Sequence, residues 1–179
     1  MDTGFHTVRE TDGSAIVATA ERIAQAAHAD QVDKAGRPYI EHPRRVAARL
    51  SAAGAPTEAI AAGWLHDVLE DTETTPADLA PAGMPAETIA AVLAVTKRTE
   101  EPPEDYAARI VSTPLAADVK RADLADNSDP ARLALLPAST RDRLGKKYAR
   151  MLTLLRTGEG APSDRREDTG TAPSPKPSL

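Results

Sequence analysis

Apolar residues return every three or four positions through most of this chain, and polar or charged residues fill the positions between them. Over residues 14–31, for example, Ile16, Ala20, Ile23 and Ala27 lie on one face of a helix. No segment alternates apolar and polar residues over the length of a strand, and no Asn-Gly or Asp-Gly turn lies between β-branched runs. The pattern predicts an all-α protein.

Proline, glycine and capping residues indicate where the helices begin and end. Ser14 and Thr57 are the predicted N-caps of two of them, and Pro43 is predicted at a first helical position with His42 at the cap. The predicted helices cover residues 14–31, 43–53, 57–71, 85–97, 104–111, 114–127 and 139–157, with a short helical turn after Thr75-Pro76.

Composition divides the chain into a folded part and two ends. Residues 1–12 are polar and predict a flexible N-terminus, whereas residues 13–157 carry the helical pattern and predict one domain. Residues 158–179 are rich in Gly, Pro, Ser and charge, and such a segment cannot bury enough apolar surface to offset the entropy of ordering. We therefore expect a disordered C-terminal tail.

Charge and composition also limit the class of partner. The formal net charge is -5, which does not favour nucleic acid or an anionic membrane. No cysteine is present, so disulfides and thiolate metal sites are excluded. The longest apolar stretches are shorter than the roughly 20 residues that span a bilayer, and the first 15 residues do not resemble a signal peptide. We expect a soluble, cytoplasmic protein.

Four ionisable residues lie within the stretch His66-Asp67-Val68-Leu69-Glu70-Asp71, which follows an uncharged run. On one continuous helix His66 would lie over Glu70, and Asp67 over Asp71, because residues four apart share a face. Burying unpaired charges is costly, and coordination to a divalent cation offsets that cost. The alternative is an ordinary core pair of His66 and Asp67, with the two later acids solvated at a helix end.

Two more distant residues extend this candidate site. His42 stands at a predicted helix start, which can aim its ring inward, and Asp123 falls on an apolar stripe beside Leu124. An exposed Asp123 paired with Lys120 or Arg121 fits the same pattern. Two imidazoles and two carboxylates suit Mn(II), Fe(II) or Zn(II), and leave positions open for water and a phosphate oxygen.

These residues resemble the H…HD…D signature of the HD superfamily of metal-dependent phosphohydrolases, and a larger part of the chain is similar to the hydrolase domain of RelA/SpoT proteins and to stand-alone small alarmone hydrolases. The segments that carry the resemblance are Ala27-His28, Gly36-x-Pro38-Tyr39-Ile40-x-His42-Pro43, Leu65-His66-Asp67-x-x-Glu70-Asp71-Thr72, Val95-Thr96-Lys97 and Val119-Lys120-x-Ala122-Asp123-x-x-x-Asn127. The resemblance implies an HD-domain helical bundle over residues 13–157.

The resemblance also implies roles for individual residues. The implied ligands of one Mn²⁺ are His42, His66, Asp67 and Asp123. Glu70 and Asp71 match an acidic pair that orients or deprotonates the attacking water. The implied substrate contacts are Lys34, Arg37, Lys97, Lys120 and Asn127. The implied reaction removes the 3′-pyrophosphate from guanosine tetra- or pentaphosphate, so a small-molecule nucleotide is the expected partner, and a cognate alarmone synthetase is a further candidate.

Two departures from the family pattern concern the nucleotide. Asp33 stands where the family commonly has an arginine that stacks on guanine, and an acid cannot make that contact. The late motif has Arg121, Leu124, Ala125 and Asp126 where the family reads closer to L-A-D-R-L-H-N. Two alternatives therefore stay open: a phosphatase acting on another nucleotide, such as NADPH or a nucleoside monophosphate, and a non-catalytic nucleotide-binding member.

Overall fold

The computed structural model describes residues 7–33 and 36–160. Its helices in chain order are α1 (Thr7–Ala27), α2 (Glu41–Ala52), α3 (Thr57–Leu65), α4 (Val68–Asp71), α5 (Pro76–Leu79), α6 (Ala86–Val95), α7 (Pro103–Ser112), α8 (Ala116–Asn127), α9 (Pro130–Leu133) and α10 (Ala138–Gly160). Within the described part of the chain, β-type pairing is limited to one isolated bridge between Val32 and Pro38. The all-α prediction is confirmed.

Helix α3 lies at the centre of the bundle, where α1, α2, α6 and α8 pack around it. Its residues from Ala61 to Leu65 are all buried, as expected for an uncharged helical run. Gly63 lets helix α2 approach closely, since a Cβ atom there would lie 2.6 Å from Leu50 Cδ1 and 3.3 Å from Ala47 Cα. This close packing sets the start of α2 beside the end of α3.

Helices α6 and α7 are tied together by Arg109, whose side chain is mostly buried. Its guanidinium donates to the carbonyl oxygens of Leu93, Ala94 and Thr96, at the end of α6, and to the carboxylate of Glu101. The last carbonyls of a helix have no partner within the helix, so Arg109 satisfies groups that would otherwise lose hydrogen bonds on burial. Helix α10 then packs against α7 and α8.

The predicted stretch 57–71 is not one helix, so that prediction is wrong. Helix α3 ends at Leu65, His66 and Asp67 form a turn, and α4 begins at Val68. Asp67 has φ of -104° and ψ of -7°, and the Nδ1 atom of His66 donates to the carbonyl oxygen of Gly63 at 2.8 Å. His66 keeps helical dihedral angles (φ of -60°, ψ of -27°), so the departure from the regular helix is at Asp67.

Several predicted helix starts are also wrong. Helix α1 begins before Ser14 and ends at Ala27, so Ser14 is an interior residue and not an N-cap. Helix α2 begins at Glu41 with Ile40 at the N-cap, so His42 lies inside the first turn. Proline is tolerated throughout that turn because its missing N–H group would have no helical partner there.

Two later helix starts differ in the same way. Pro56, and not Thr57, is the N-cap of α3. Helix α8 begins two residues after Pro114, because Leu115 adopts a left-handed φ of 65°. The predicted turn at Thr75-Pro76 is present as α5, with a complete capping box between Thr75 and Asp78.

The predicted domain limits, residues 13 and 157, both fall inside helices. Helix α1 starts at Thr7, so residues 7–12 are helical, and α10 continues to Gly160, so residues 158–160 belong to that helix. The remainder of the predicted N-terminal segment (1–6) and of the predicted tail (161–179) lies outside the described residues. Among the described helices, none is both long enough and apolar enough to cross a membrane.

Candidate metal centre

Side chains from three parts of the fold converge on one point. The Nε2 atoms of His42, on α2, and His66, after α3, lie 3.2 Å apart. The Oδ1 atom of Asp123, on α8, lies 3.2 Å from the first nitrogen and 3.8 Å from the second. Asp67 brings Oδ2 to 3.0 Å from His66 Nε2 and 3.5 Å from His42 Nε2. All four residues predicted as ligands are thus brought together.

These groups are removed from solvent and coupled electrostatically. His42 is 5%, His66 3% and Asp123 4% exposed. Burial opposes charge on His66, but the carboxylates of Asp67 and Asp123 outweigh it and raise its pKa to about 9. Burial likewise opposes ionisation of Asp67, yet His66, His42 and the Tyr39 hydroxyl hold its pKa well below the usual range. The charges are stable only because they face one another.

The donor set fits a divalent cation. One oxygen or nitrogen from each of His42, His66 and Asp123 lies within 4.8 Å of the others, with Asp67 Oδ2 beside them. His66 Nδ1 donates to a backbone carbonyl, which leaves Nε2 of a neutral ring with its lone pair toward the cluster. Two imidazole nitrogens and two carboxylate oxygens suit Mn²⁺, Fe²⁺ or Zn²⁺.

Lys120 supplies a positive charge at the base of the cluster. Its Nζ atom lies 2.7 Å from Asp123 Oδ2, and its side chain is only 12% exposed. Burial lowers the pKa of this ammonium group, but the Asp123 carboxylate has the opposite effect, and the pKa of Lys120 lies above its ordinary value. The amide of Asn127 donates to the other oxygen of Asp123. Asp123 is therefore held by two partners on its own helix.

The predicted acidic pair lies in α4, at the edge of the same site. Lys97 donates to Glu70 through its ammonium group at 2.9 Å and through its backbone N–H at 3.2 Å. The Tyr39 hydroxyl lies 2.6 Å from Asp67 Oδ2 and 3.3 Å from Asp71 Oδ2, so it bridges a candidate ligand and the second acid. Burial, Asp67 and Glu70 raise the pKa of Asp71. Both acids thus have fixed partners.

Two adjoining cavities surround these residues. One of about 220 Å³ is lined by His42, Asp67, Asp123, the acidic pair of α4, Lys97, Lys120 and Asn127. The second, of about 360 Å³, is lined by Arg37 and by apolar residues of α9, of α10 and of the segment between them. It shares its Asp33, Tyr39, Asn127, Arg132 and Tyr148 lining with the first. Arg37 therefore lies away from the metal-ligand cluster. Lys34 is outside the described residues.

Three residues without a predicted role also lie beside this cluster. Tyr39 donates to Asp67. It belongs to the Pro38-Tyr39-Ile40 block that carried the resemblance, but no role was predicted for it. The Oδ2 atom of Asp126 lies 2.7 Å from His42 Nδ1. Arg132, from α9, contacts Asp126 and lines both cavities. The Asp129-Pro130 pair before Arg132 is a cap-then-proline signal that predicts α9.

Comparisons with known proteins agree with this arrangement. A family model described as "HD domain" matches residues 20–104. A guanosine-3′,5′-bis(diphosphate) 3′-pyrophosphohydrolase of Aquifex aeolicus is 48% identical over 56 residues, which are 31% of this chain and 8% of that protein. A probable enzyme of the same name from Mycoplasma pneumoniae is 37% identical over 87 residues, or 49% of this chain and 12% of that protein.

A solved structure supports the fold. It is described as a metazoan ortholog of SpoT that hydrolyses ppGpp and plays a role in starvation responses, and it superposes with a TM-score of 0.68 at 23% identity. The match covers 79% of this chain and 86% of that one. By contrast, the chain spans only a small part of the length of the curated relatives that it matches.

Proposed function

We propose that this chain, whose residues 20–104 match an HD-domain model, is a metal-dependent phosphohydrolase that removes the 3′-pyrophosphate from guanosine tetra- or pentaphosphate. The observation that carries the proposal is the convergence of two imidazoles and two carboxylates in a buried cluster, with Asp123 Oδ1 3.2 Å from His42 Nε2. The names of the matching relatives support the choice of substrate.

The ligands would be His42, His66, Asp67 and Asp123, and the proposed ion is Mn²⁺. A divalent cation bound there supplies Lewis-acid chemistry toward a phosphoryl oxygen and toward water. The chain contributes ligands whose orientation is already set: His66 by the carbonyl of Gly63, and Asp67 by the hydroxyl of Tyr39. Such support from neighbouring groups keeps ligands in place and adjusts their basicity.

Glu70 and Asp71 are proposed to accept the proton of the attacking water. They lie in α4, the short helix that directly follows Asp67, and they line the same cavity as His42, Asp67 and Asp123. Lys97 fixes the Glu70 carboxylate, and Tyr39 fixes that of Asp71, so neither acid has to be ordered during the reaction. A carboxylate held beside the reacting water can serve as general base.

Lys97 and Lys120 are proposed to neutralise substrate phosphates. The Lys97 ammonium carries three donors and is 48% exposed, so after its bond to Glu70 it retains N–H groups for phosphate. Lys120 is engaged with Asp123 and acts mainly through its charge. Asn127 and Arg37 line the adjoining cavity, which is the proposed position of the nucleoside, with Asp33 at its rim.

The direct test is a product assay on the purified protein. Guanosine tetra- and pentaphosphate, NADPH and a nucleoside monophosphate are incubated separately with Mn²⁺, Mg²⁺ or no added cation. Pyrophosphate released from the guanosine substrates, and only with a divalent cation, is the expected result. Orthophosphate from NADPH or the monophosphate would assign a different substrate. No product from any nucleotide, with cation binding demonstrated calorimetrically, would refute the hydrolase proposal.

Three variants separate metal binding from chemistry. Glu70→Gln is expected to keep the cation and to lose about 10²- to 10⁴-fold in turnover, the usual contribution of a general base. Asp67→Asn is expected to lose both. The matched control is Glu73→Gln, which changes an exposed acid three residues beyond Glu70 and should retain both properties. Wild-type turnover in Glu70→Gln would remove that residue from the mechanism.

A further inference from the structure

Asp126 is fully buried although it is an acid, and every partner that the structure gives it is a potential cation. Its Oδ2 atom lies 2.7 Å from His42 Nδ1. Arg45 reaches it from α2, with Nε 2.7 Å from Oδ1 and Nη2 3.1 Å from Oδ2. Arg132 reaches it from α9 through Nη1, and Arg49 Nε lies 3.8 Å from Oδ1. Helices α2, α8 and α9 therefore meet at one carboxylate.

Both oxygens of the Asp126 carboxylate accept hydrogen bonds from guanidinium groups. Arg45 Nε donates to Oδ1, while Arg45 Nη2 and Arg132 Nη1 donate to Oδ2. Because a guanidinium group has only donors, the carboxylate acts as the acceptor in this cluster, and it accepts from His42 Nδ1 as well. The proton of a neutral His42 ring therefore lies on Nδ1, and the lone pair lies on Nε2, the nitrogen that faces His66 and Asp123.

We propose that Asp126 is a positioning residue of the metal centre: it holds His42 in the Nδ1–H tautomer and aims Nε2 at the position of the cation. Arg45 and Arg132 contribute to this positioning, because their guanidinium groups hold the Asp126 carboxylate in place and balance its charge. The inference rests on the proposed metal site. It assigns a role to one of the residues at which this chain departs from the motif of the resembling family.

Metal affinity provides the first test. Asp126→Asn keeps the shape of the side chain and removes its charge, and it is expected to weaken Mn²⁺ binding by about 10- to 100-fold in isothermal titration calorimetry. The matched control is Asp118→Asn, on the same helix, where the acid is 59% exposed and paired with Arg121. That control should bind Mn²⁺ as the wild type does, while Asp126→Glu, which restores a carboxylate, should recover part of the affinity.

The tautomer itself provides the second test, in a form that a general loss of stability would not imitate. In the Zn²⁺-loaded protein with ¹⁵N-labelled histidine, the long-range ¹H–¹⁵N spectrum should show a protonated Nδ1 on His42, with a proton that exchanges slowly. The folded Asp126→Asn variant should lose the slow exchange. If that variant does not fold, Arg45→Gln, at a half-exposed position, takes its place and should weaken Mn²⁺ binding by a smaller factor.

Unchanged Mn²⁺ affinity together with an unchanged His42 spectrum in the folded variant would overturn the proposal. This outcome differs from failure of the proposed function. A wild-type protein that binds Mn²⁺ but hydrolyses no nucleotide would refute the hydrolase, and the two binding experiments would still decide the role of Asp126.

Discussion

Lys120 offers the sharpest test of the charge balance in the metal centre. Its ammonium group lies against the clustered carboxylates, with Nζ 2.7 Å from Asp123 Oδ2 and 5.6 Å from the centre of the Tyr106 ring. Lys120→Met keeps the length and the apolar stem of the side chain but removes its charge. We expect this change to destabilise the metal-free protein and to strengthen cation binding.

The size of both effects follows from the geometry. At 2.7 Å and an effective dielectric constant of about 20, the attraction between the two charges is about 6 kcal/mol before desolvation. Desolvation offsets part of this, and breaking a buried pair from one side costs about 3–5 kcal/mol. A loss of about 3 kcal/mol lowers the Tm of a chain of this size by about 6–12 °C.

Mn²⁺ should restore part of the stability that Lys120→Met loses, because the cation replaces the missing positive charge. It should also bind more tightly, because the variant has no ammonium group beside the site to repel it. A tenfold gain in affinity adds about 1.4 kcal/mol at the same excess of cation, or about 3–6 °C in Tm. Thermal unfolding with and without Mn²⁺ measures both effects. The control is Lys97→Met, which removes an exposed ion pair and should change stability by no more than about 1 kcal/mol. Equal Tm losses in the two variants, or a smaller Mn²⁺ effect in Lys120→Met, would contradict the reasoning.

Three further predictions concern the frame of the site. Gly63→Ala should destabilise the protein by about 1–3 kcal/mol in urea unfolding, because the new Cβ would collide with Leu50 and the backbone of α2. The control is Gly145→Ala, where the added Cβ meets open space, and it should be neutral or stabilising. The hydrogen bond from Arg109 lowers the pKa of Glu101 from its ordinary value of 4.5, so the stabilisation from this ion pair is complete above that pH and is lost as the pH falls through the folded-state pKa. Glu101→Gln should therefore flatten the acid side of the curve of unfolding free energy against pH. An unchanged curve would show that the Arg109–Glu101 pair does not cause the loss of stability in acid. Tyr39→Phe removes the hydroxyl that lies 2.6 Å from Asp67 and should weaken Mn²⁺ binding about tenfold in calorimetry, while unchanged affinity would show that this bond does not support the ligand.

Local periodicity was sufficient for the class of fold and for most helices, since apolar stripes and proline or glycine boundaries are features of neighbouring residues. The same signals could not locate the end of α3. The run before His66 has no local terminator, and the turn is held by the bond from the His66 ring to Gly63 and by the side chains that meet it from α2 and α8. Such contacts are tertiary and have no sequence period.

The site shows the same division between local and distant information. The adjacent pair His66-Asp67 is visible in the sequence, and the resemblance pointed to His42 and Asp123 although periodicity alone left Asp123 open. Asp126 looked like one more acid on α8, because its burial depends on Arg45 and Arg132 from other helices. Helix α9, in contrast, could have been predicted, because Asp129-Pro130 carries the same signal as Thr75-Pro76.

The order in which the site's residues leave the ribosome follows from their positions along the chain. His42, His66 and Asp67 are synthesised early, whereas Asp123 and Lys120 come with α8, and Asp126 follows His42 by 84 positions. A nascent chain that has not reached α8 therefore holds three of the four candidate ligands, without Asp123 and the ammonium group of Lys120. Because Asp123 lies on α8, the four candidate ligands come together only after α8 has packed against α2 and α3.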